Sequence, residues 1–506
     1  MTDRAATDRA ATDRAATSGA ATSGAAGGVV TSGAAGGAAT GGSGRGRRGA
    51  AGTPAEVVLA PPVLTGRPRR ADAATLLCLF VLTLTLIPAR MVIRGLPVSL
   101  SVASVLALAA GLMWLCAQLT GTLGAAKGRN PVRTLVFLYV ASAAASYGYG
   151  TYGYLPADEL NLADQKIVLV LANAGLALAV CDGVRARERL DFVLRTVVAG
   201  GAIMGLVGAA QFLLNVDVTQ YLRLPGLRFA IEEAFVFDRN AMRRVAATAA
   251  HPIEFGVLCA MILPLAAHYG FRARELGRPA LRWWLCTASI GMGLMFSVSR
   301  SAVLALAGVG FVLLLGWPAR RRVQAVAVLA GFLVVVRMIA PGLLGTIFGL
   351  FANFFKDSSI DYRTHDYAVA AEEIAKHPWL GRAIGTWYAP KYQIFDNQYI
   401  QGAIDTGIIG VAIFLGLFVC AFVCALRARR LGADPGVREL GLVLASCLVA
   451  PVLGAATYDL ATYAHVTGLA FLLIGATGAL ARMAGDERRG DHLPLQTSGR
   501  TREVTR

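Results

Sequence analysis

The chain has 506 residues, 56% of them hydrophobic and only 16% charged, with a formal net charge of +17. Soluble proteins average roughly 45–50% apolar and about 25% charged residues, so this chain lacks the polar surface that two or three soluble domains would need. Of the 48 Lys and Arg, 43 are Arg, and they fall mostly in short runs between apolar stretches; that is the pattern of membrane topology, not a basic face for nucleic acid.

Residues 1–72 are low complexity: TDRAA occurs three times from Thr2 and TSGAA three times from Thr17, followed by a basic patch at Arg45–Arg48 and GRPRR at 66–70. Such a tract cannot bury enough apolar area to offset its chain entropy and is expected to be a disordered tail. It does not read as a signal peptide, because no apolar stretch with a small-residue cleavage site opens the chain. A second polar tail is expected over 482–506.

Between the tails lie twelve apolar stretches: 73–89, 97–120, 133–150, 165–181, 193–214, 251–269, 283–299, 301–316, 323–340, 399–426, 440–456 and 459–481. Roughly 20 residues cross about 30 Å of hydrocarbon as a helix, so the expected fold is an all-α polytopic membrane protein with about 12 transmembrane helices. Loops 121–133, 182–192, 270–282, 317–322 and 427–439 hold 17 Lys and Arg, against 2 in the short loops on the other side. The positive-inside tendency makes the first set cytoplasmic, and an even number of spans puts both tails there too. All eight cysteines lie in or beside apolar stretches, so neither a disulfide framework nor a CxxC metal site is expected; Cys420 and Cys424 share a helix face as packing groups.

Two long segments, 215–250 and 341–398, then fall on the extracytoplasmic side. The second is rich in aromatic residues, and within it 360–376 reads as a helix, with Asp361 in the first turn and Pro378 disfavouring helix at His377. Segments of this length usually carry function or are disordered.

Arg300 is the sharpest signal. It interrupts GLMFSVSRSAVLALAG with no acidic residue within 20 positions on either side. A charge inside a span is a functional hypothesis by default; the alternative is that the chain turns there and Arg300 snorkels to the interface. Arg337 lies nearer a span end, where snorkelling is favoured. Arg243 and Arg244, beside His251, Pro252 and Glu254, form an outer cluster suited to an anionic ligand or to interfacial anchoring. The stretch 361–399 holds Arg363, His365, Asp366, His377, Arg382, Asp396 and Asn397. Singly these are ordinary loop residues; together, over an outer membrane face, they suit an anionic, hydroxyl-rich substrate. No DxD, HExxH, GxSxG or Gly-rich phosphate loop between strand and helix occurs in the relevant positions. The first outer loop, ARMVIRGL, has no acidic residue, unlike lipid-dependent glycosyltransferases that keep a catalytic acid there.

Three stretches in order resemble the O-antigen ligase / O-antigen polymerase superfamily over roughly residues 75–480. They are RVAATAAHPIEFG (244–256), SVSRSA (297–302), and the helix and loop YRTHDYAVAAEEIAKHPWLGRAIGTW followed by DNQYIQGAIDTGIIG (396–410). Asp396 stands where the family has a loop His, Ile253 where it has an Asn, and Gly381-Arg382-Ala383 where it has Gly-x-Gly. The resemblance implies transfer or polymerisation of oligosaccharide units from a polyprenyl-diphosphate carrier to a glycan or lipid acceptor hydroxyl at the outer membrane face, with no cofactor. A diphosphate leaving group needs compensation of developing charge more than a general acid, and arginine supplies this bidentately. Arg244 and Arg300 are expected on the diphosphate, with Arg243, Arg363, Arg382 and Asn397 as further binding residues. Asp396 is expected as the base, with His377 second. Direct displacement would invert the anomeric centre without a metal. Trp379, Trp387 and Tyr388 could stack on sugars or pack the loop. The competing class is a non-enzymatic transporter or flippase of lipid-linked glycans, which should show internal repeats and midplane ionisable residues.

Overall fold

The structure, a computed structural model, describes residues 72–491 except 97, 121–125, 127, 231–235, 240–241, 353–358 and 390. For 236–239, 242, 350–352, 359–366 and 490–491 only the backbone is described. The expected tails at 1–71 and 492–506 lie outside the described residues.

Each of the twelve apolar stretches coincides with a helix: α1 (Ala73–Leu86), α2 (Val102–Leu119), α3 (Pro131–Tyr152), α4 (Ala157–Gly183), α5 (Arg187–Leu214), α6 (Pro252–Glu275), α7 (Leu281–Phe296), α8 (Arg300–Gly316), α9 (Ala319–Ile339), α12 (Gln398–Leu431), α13 (Pro435–Ala455) and α14 (Ala464–Asp491). Between α9 and α12 lie α10 (Leu343–Ala352) and α11 (Ser359–Lys376). Eight helices are long and apolar enough to cross a membrane by length and composition, and α1 and α8 are shorter apolar helices. The protein is therefore a mostly helical, multi-pass membrane protein.

Helix starts follow from local chemistry. Asp72, Ser101, Asn130, Ser299, Asn397 and Asp434 each accept a backbone N–H of the helix they precede, satisfying donors that would otherwise be orphaned. Pro131, Pro252 and Pro435 occupy the first helical turn, where the missing N–H costs nothing. Two boundaries exceed the expectation by the most. Helix α4 begins at Ala157 because Asp158 and Glu159 fit its first turn, where acids complement the helix dipole. Helix α14 continues to Asp491, held by Arg482, whose guanidinium donates to the carbonyls of Cys181 and Val184.

The centre of the bundle is α6, α13 and α14. The apolar window of α14 is 89% buried and that of α6 is 83%, against 6% for α9 and 22% for α2, so the last two present apolar side chains outward, as a lipid environment requires. Helices approach closely where side chains are absent: a Cβ on Gly111 of α2 would stand 2.8 Å from the Gly175 Cα of α4. Small residues at crossings allow the dispersion contacts that drive helix association in lipid.

Connections sort into two faces. On one, Arg133 pairs with Asp182, Arg272 with Asp434, Arg189 with Asp72, and Arg321 with Glu275 and Glu439. These residues come from the five basic loops and the end of the N-terminal tail. On the opposite face, β1 (Met91–Ile93) pairs antiparallel with β2 (Leu227–Phe229), Arg90 meets Asp217 at 3.4 Å, and Lys166 donates to the Ala461 carbonyl. A second ribbon, β3 (Val236–Arg239) with β4 (Met242–Val245), lies in the same long segment. Such short strands carry too few residues to leave a period in the sequence.

Candidate functional site

The first two motifs meet. From the second half of β4 the chain runs as a buried strap, Arg244 to Ala249. Its small residues fit against α5 and the end of α1: Ala247 N–H donates to Gln211 at 2.8 Å, and the Thr248 hydroxyl donates to the Thr85 carbonyl at 2.7 Å. The Arg244 side chain, 8% exposed, directs Nε at the Ser297 carbonyl, 3.4 Å away. That carbonyl belongs to the turn between α7 and α8, so Arg244 and the turn that presents Arg300 form one unit. Ala247 (φ 52°) and Val298 (φ 45°) both hold left-handed backbone. Such residues cost on the order of 1–3 kcal/mol and persist where the surroundings over-determine them. Both of these positions lie in the motifs.

The strap ends at His251, whose Nδ1 accepts the Ile253 N–H at the start of α6. Glu254, fully buried, accepts from Ala250 N at 2.7 Å and from His465 N at 3.0 Å. It thus ties the entry of α6 to the N-terminus of α14, a favourable place for a carboxylate. His251 packs beside Tyr463, ring centroids 6.1 Å apart, and the Ser301 and Thr457 hydroxyls lie 2.8 Å apart.

The third motif is a loop laid across a broken helix. Helix α12 has one non-helical residue, Gly407 (φ 68°, ψ −179°). The groups freed by the break are taken by the loop and by α3: Arg382 N donates to the Ile404 carbonyl at 2.8 Å, Ile408 N to the Pro378 carbonyl at 2.9 Å, and the Ser146 hydroxyl to the Asp405 carbonyl at 2.8 Å. Gly381 faces this break with φ 71°, and a Cβ there would stand 2.6 Å from Gly407 N. The glycines of HPWLG and DTGIIG are therefore one device, two backbones in contact.

Glu159 anchors the same loop. Its fully buried carboxylate accepts from Arg382 at 2.8 Å, Lys391 at 2.7 Å and Tyr392 at 2.6 Å. The Arg382 guanidinium also lies over the Tyr392 ring, 4.6 Å from its centroid. Glu159 and then Asp158 push the Lys391 ammonium pKa up. Trp387 stacks on Tyr392 at 4.5 Å and on Phe395 at 5.7 Å, and its indole N–H donates to the Gln393 carbonyl.

Between loop, α3, α4, α12 and the α13–α14 turn is a cavity of about 730 Å³, within the range of ligand pockets. Its polar lining includes Asp396, Asp405, Asp459, Lys166, His251 and Gln401; Tyr388, Tyr458 and Tyr463 supply aromatic faces. Asp405 accepts from Gln401 at 3.3 Å through one oxygen, and the other has no hydrogen-bond partner among the described residues.

The expected site residues separate accordingly. Asp396 is exposed and lines the cavity. Arg244 and Arg300 sit at the adjoining strap and turn, with Arg243 on β4 beside them. Asn397 caps α12 through Tyr399 N at 2.9 Å. Arg382 is committed to Glu159. His377 is exposed at the end of α11, 3.4 Å from the Tyr149 hydroxyl, and does not line the cavity. The side chains of Arg363, His365 and Asp366 lie outside the described residues. Arg337 is exposed in the last turn of α9. Trp387 packs the loop, whereas Trp379 is 67% exposed. Sequence reasoning missed Glu159, Asp405 and Lys166. Asp405 had a signal, as the one charged residue within the apolar stretch 399–426.

A family model described as O-antigen ligase matches residues 285–415. The match runs from α7 through the Arg300 turn, the long segment and the loop to the first part of α12, and leaves the 244–256 strap outside. No curated protein matches the chain. Residues 285–415 thus carry the O-antigen ligase signature, which supports placing the chain in the O-antigen ligase / O-antigen polymerase superfamily.

Proposed function

We propose that the protein transfers or polymerises oligosaccharide units from a polyprenyl-diphosphate carrier onto an acceptor hydroxyl of a glycan or lipid, in cell-surface or exopolysaccharide assembly. The reaction takes place at the extracytoplasmic face of a cytoplasmic membrane crossed twelve times, with both tails inside. One observation carries this reading: Arg244 joins the strap to the Arg300 turn through the Ser297 carbonyl, and His251 at the end of that strap lines the same cavity as Asp396.

Arg300 and Arg244 bind the diphosphate, with Arg243 and Arg363 as further contacts. Their fixed positive charge stabilises the leaving phosphate oxygens as the anomeric C–O bond breaks. The acceptor sugar enters the cavity, where carboxylates and amides accept and donate to hydroxyls and tyrosines offer faces. Asp396 takes the proton of the attacking hydroxyl. His377 is the second candidate, although its place outside the cavity favours Asp396. Arg382 and Asn397 hold the loop in register, so that Asp396 is presented to the cavity. Displacement by the acceptor oxygen inverts the anomeric centre, and no step calls on a metal ion.

Deleting the gene and analysing surface glycans together with lipid-linked repeat units tests the reading. Accumulation of lipid-linked units with loss of polymer or of attachment is expected. An unchanged surface glycan profile would overturn it. Single repeats still attached would indicate a polymerase, and loss of all attachment a ligase.

A further inference from the structure

On the face opposite the cavity, the N-terminus of α3 meets the ends of α12 and α14 around a groove of about 120 Å³. Arg129, Arg427, Arg482 and Arg489 line it, with Asp486 the one acidic residue among the lining groups. Residues 478, 482, 485 and 489 fall on one side of α14 by helical spacing, which is why two of these arginines face the groove. Asn130 closes the floor, its amide donating to Cys181 Sγ and the Gly478 carbonyl. Arg482 donates to two carbonyls through Nη2, and its buried Nε has no hydrogen-bond partner among the described residues.

These arginines differ from the ion-paired ones on their face. Arg133, Arg189, Arg272 and Arg321 each pair with an acid, whereas no ion pair of Arg129, Arg427 or Arg489 occurs among the described residues. Four guanidinium groups around one groove, with a single carboxylate among them, make a site for anionic oxygens at a membrane interface. From Arg427 an apolar row runs into the membrane along α12 at four-residue spacing: Val423, Val419 and Leu415, which are 56%, 54% and 39% exposed. Head and tail of a lipid are both provided for.

We propose that this groove binds an anionic phospholipid, with the phosphodiester head group against Arg129, Arg427, Arg482 and Arg489 and an acyl chain along Val423, Val419 and Leu415. The lipid joins α3, α12 and α14 on the side away from the cavity. It is independent of the glycan-transfer reading.

The test uses full-length protein in neutral detergent, delipidated and supplied with dioleoylphosphatidylglycerol, dioleoylphosphatidylcholine or inorganic phosphate. Retained lipid is read by native mass spectrometry and protection by thermal unfolding. Phosphatidylglycerol should be retained and protective, and the other two should not. Arg427→Gln with Arg489→Gln should weaken retention by roughly 25-fold, about fivefold for each arginine. Both side chains are exposed, so folding is preserved, and Arg129→Gln provides a separate single-site measurement. Val423→Asn should weaken retention through the chain contact alone. Arg320→Gln, exposed and outside the groove, should change nothing. Equal retention of phosphatidylcholine, retention unaffected by the arginine substitutions, or equal protection by inorganic phosphate would each overturn the proposal.

Discussion

Gly407→Ala should dislodge the Asp396 loop without unfolding the bundle. At φ 68° and ψ −179° the residue occupies backbone open essentially to glycine alone, at a cost of about 1–3 kcal/mol for any other residue. The new methyl would stand 2.6 Å from Leu380 N and run into the Trp379 carbonyl. These are backbone atoms and no rotamer change can relieve the clash, so an overpacking cost of about 1–3 kcal/mol is added. If the chain relaxes by separating loop from helix, the 2.9 Å bond from Ile408 N to the Pro378 carbonyl is lost, about 1 kcal/mol. Strain and clash together put roughly 2–6 kcal/mol against local docking of 378–385, more than the single bond given up on separation. The expected result is rapid proteolytic cleavage between residues 377 and 396 in detergent, with glycan-transfer activity reduced about 100-fold or more, because small misplacements of reacting groups carry penalties of that size. Gly331→Ala in α9 is the control: it has open space around it and replaces a poor helix former by a good one, a gain of up to about 1 kcal/mol. Wild-type protease resistance and activity in Gly407→Ala would refute the assignment of the break as the docking point of the loop.

Arg300→Ala should abolish glycan transfer while the protein still inserts; retained transfer would remove the diphosphate assignment. Asp396→Asn should lose activity by at least about 100-fold and His377→Ala by far less, measured as turnover of lipid-linked repeats; silence of both would refute the acid-base assignment. Glu159→Ala leaves Arg382 facing an emptied buried pocket, and breaking such a pair typically costs about 3–5 kcal/mol, so hydrogen exchange over 382–395 should rise sharply while the α6–α13 core stays protected. Activity should survive EDTA, and loss restored by a divalent ion would refute a metal-free displacement.

Much of the architecture was legible because apolar length is a strong signal. Every expected stretch coincides with a helix, and the helix expected over 360–376 is observed at Ser359–Lys376. The grouping of loops was legible for the same reason: residues 90 and 217, from two segments that a count of Lys and Arg had placed on one face, come together there. The site was less so. Glu159 reads as an ordinary first-turn acid until Arg382, 223 positions away, is brought to it. Arg382 looks like a free loop cation for the same reason. Long-range pairing leaves no local period, and the break at Gly407 is invisible in a stretch whose hydropathy continues through it.

The length of α12 carries one more consequence. Its 34 residues would measure about 51 Å as an unbroken helix, far more than the roughly 30 Å of hydrocarbon. Residues 408–431 alone supply about 36 Å, so they suffice to cross the bilayer with a modest tilt. Gly407 then marks a depth: the turn of helix from Gln398 to Thr406, with Asp405 facing the cavity, stands at the level of the lipid head groups. In the proposed reaction, a polyprenyl-diphosphate donor held at that height would not have to be drawn out of the membrane to react, and its tail would remain in hydrocarbon throughout the transfer.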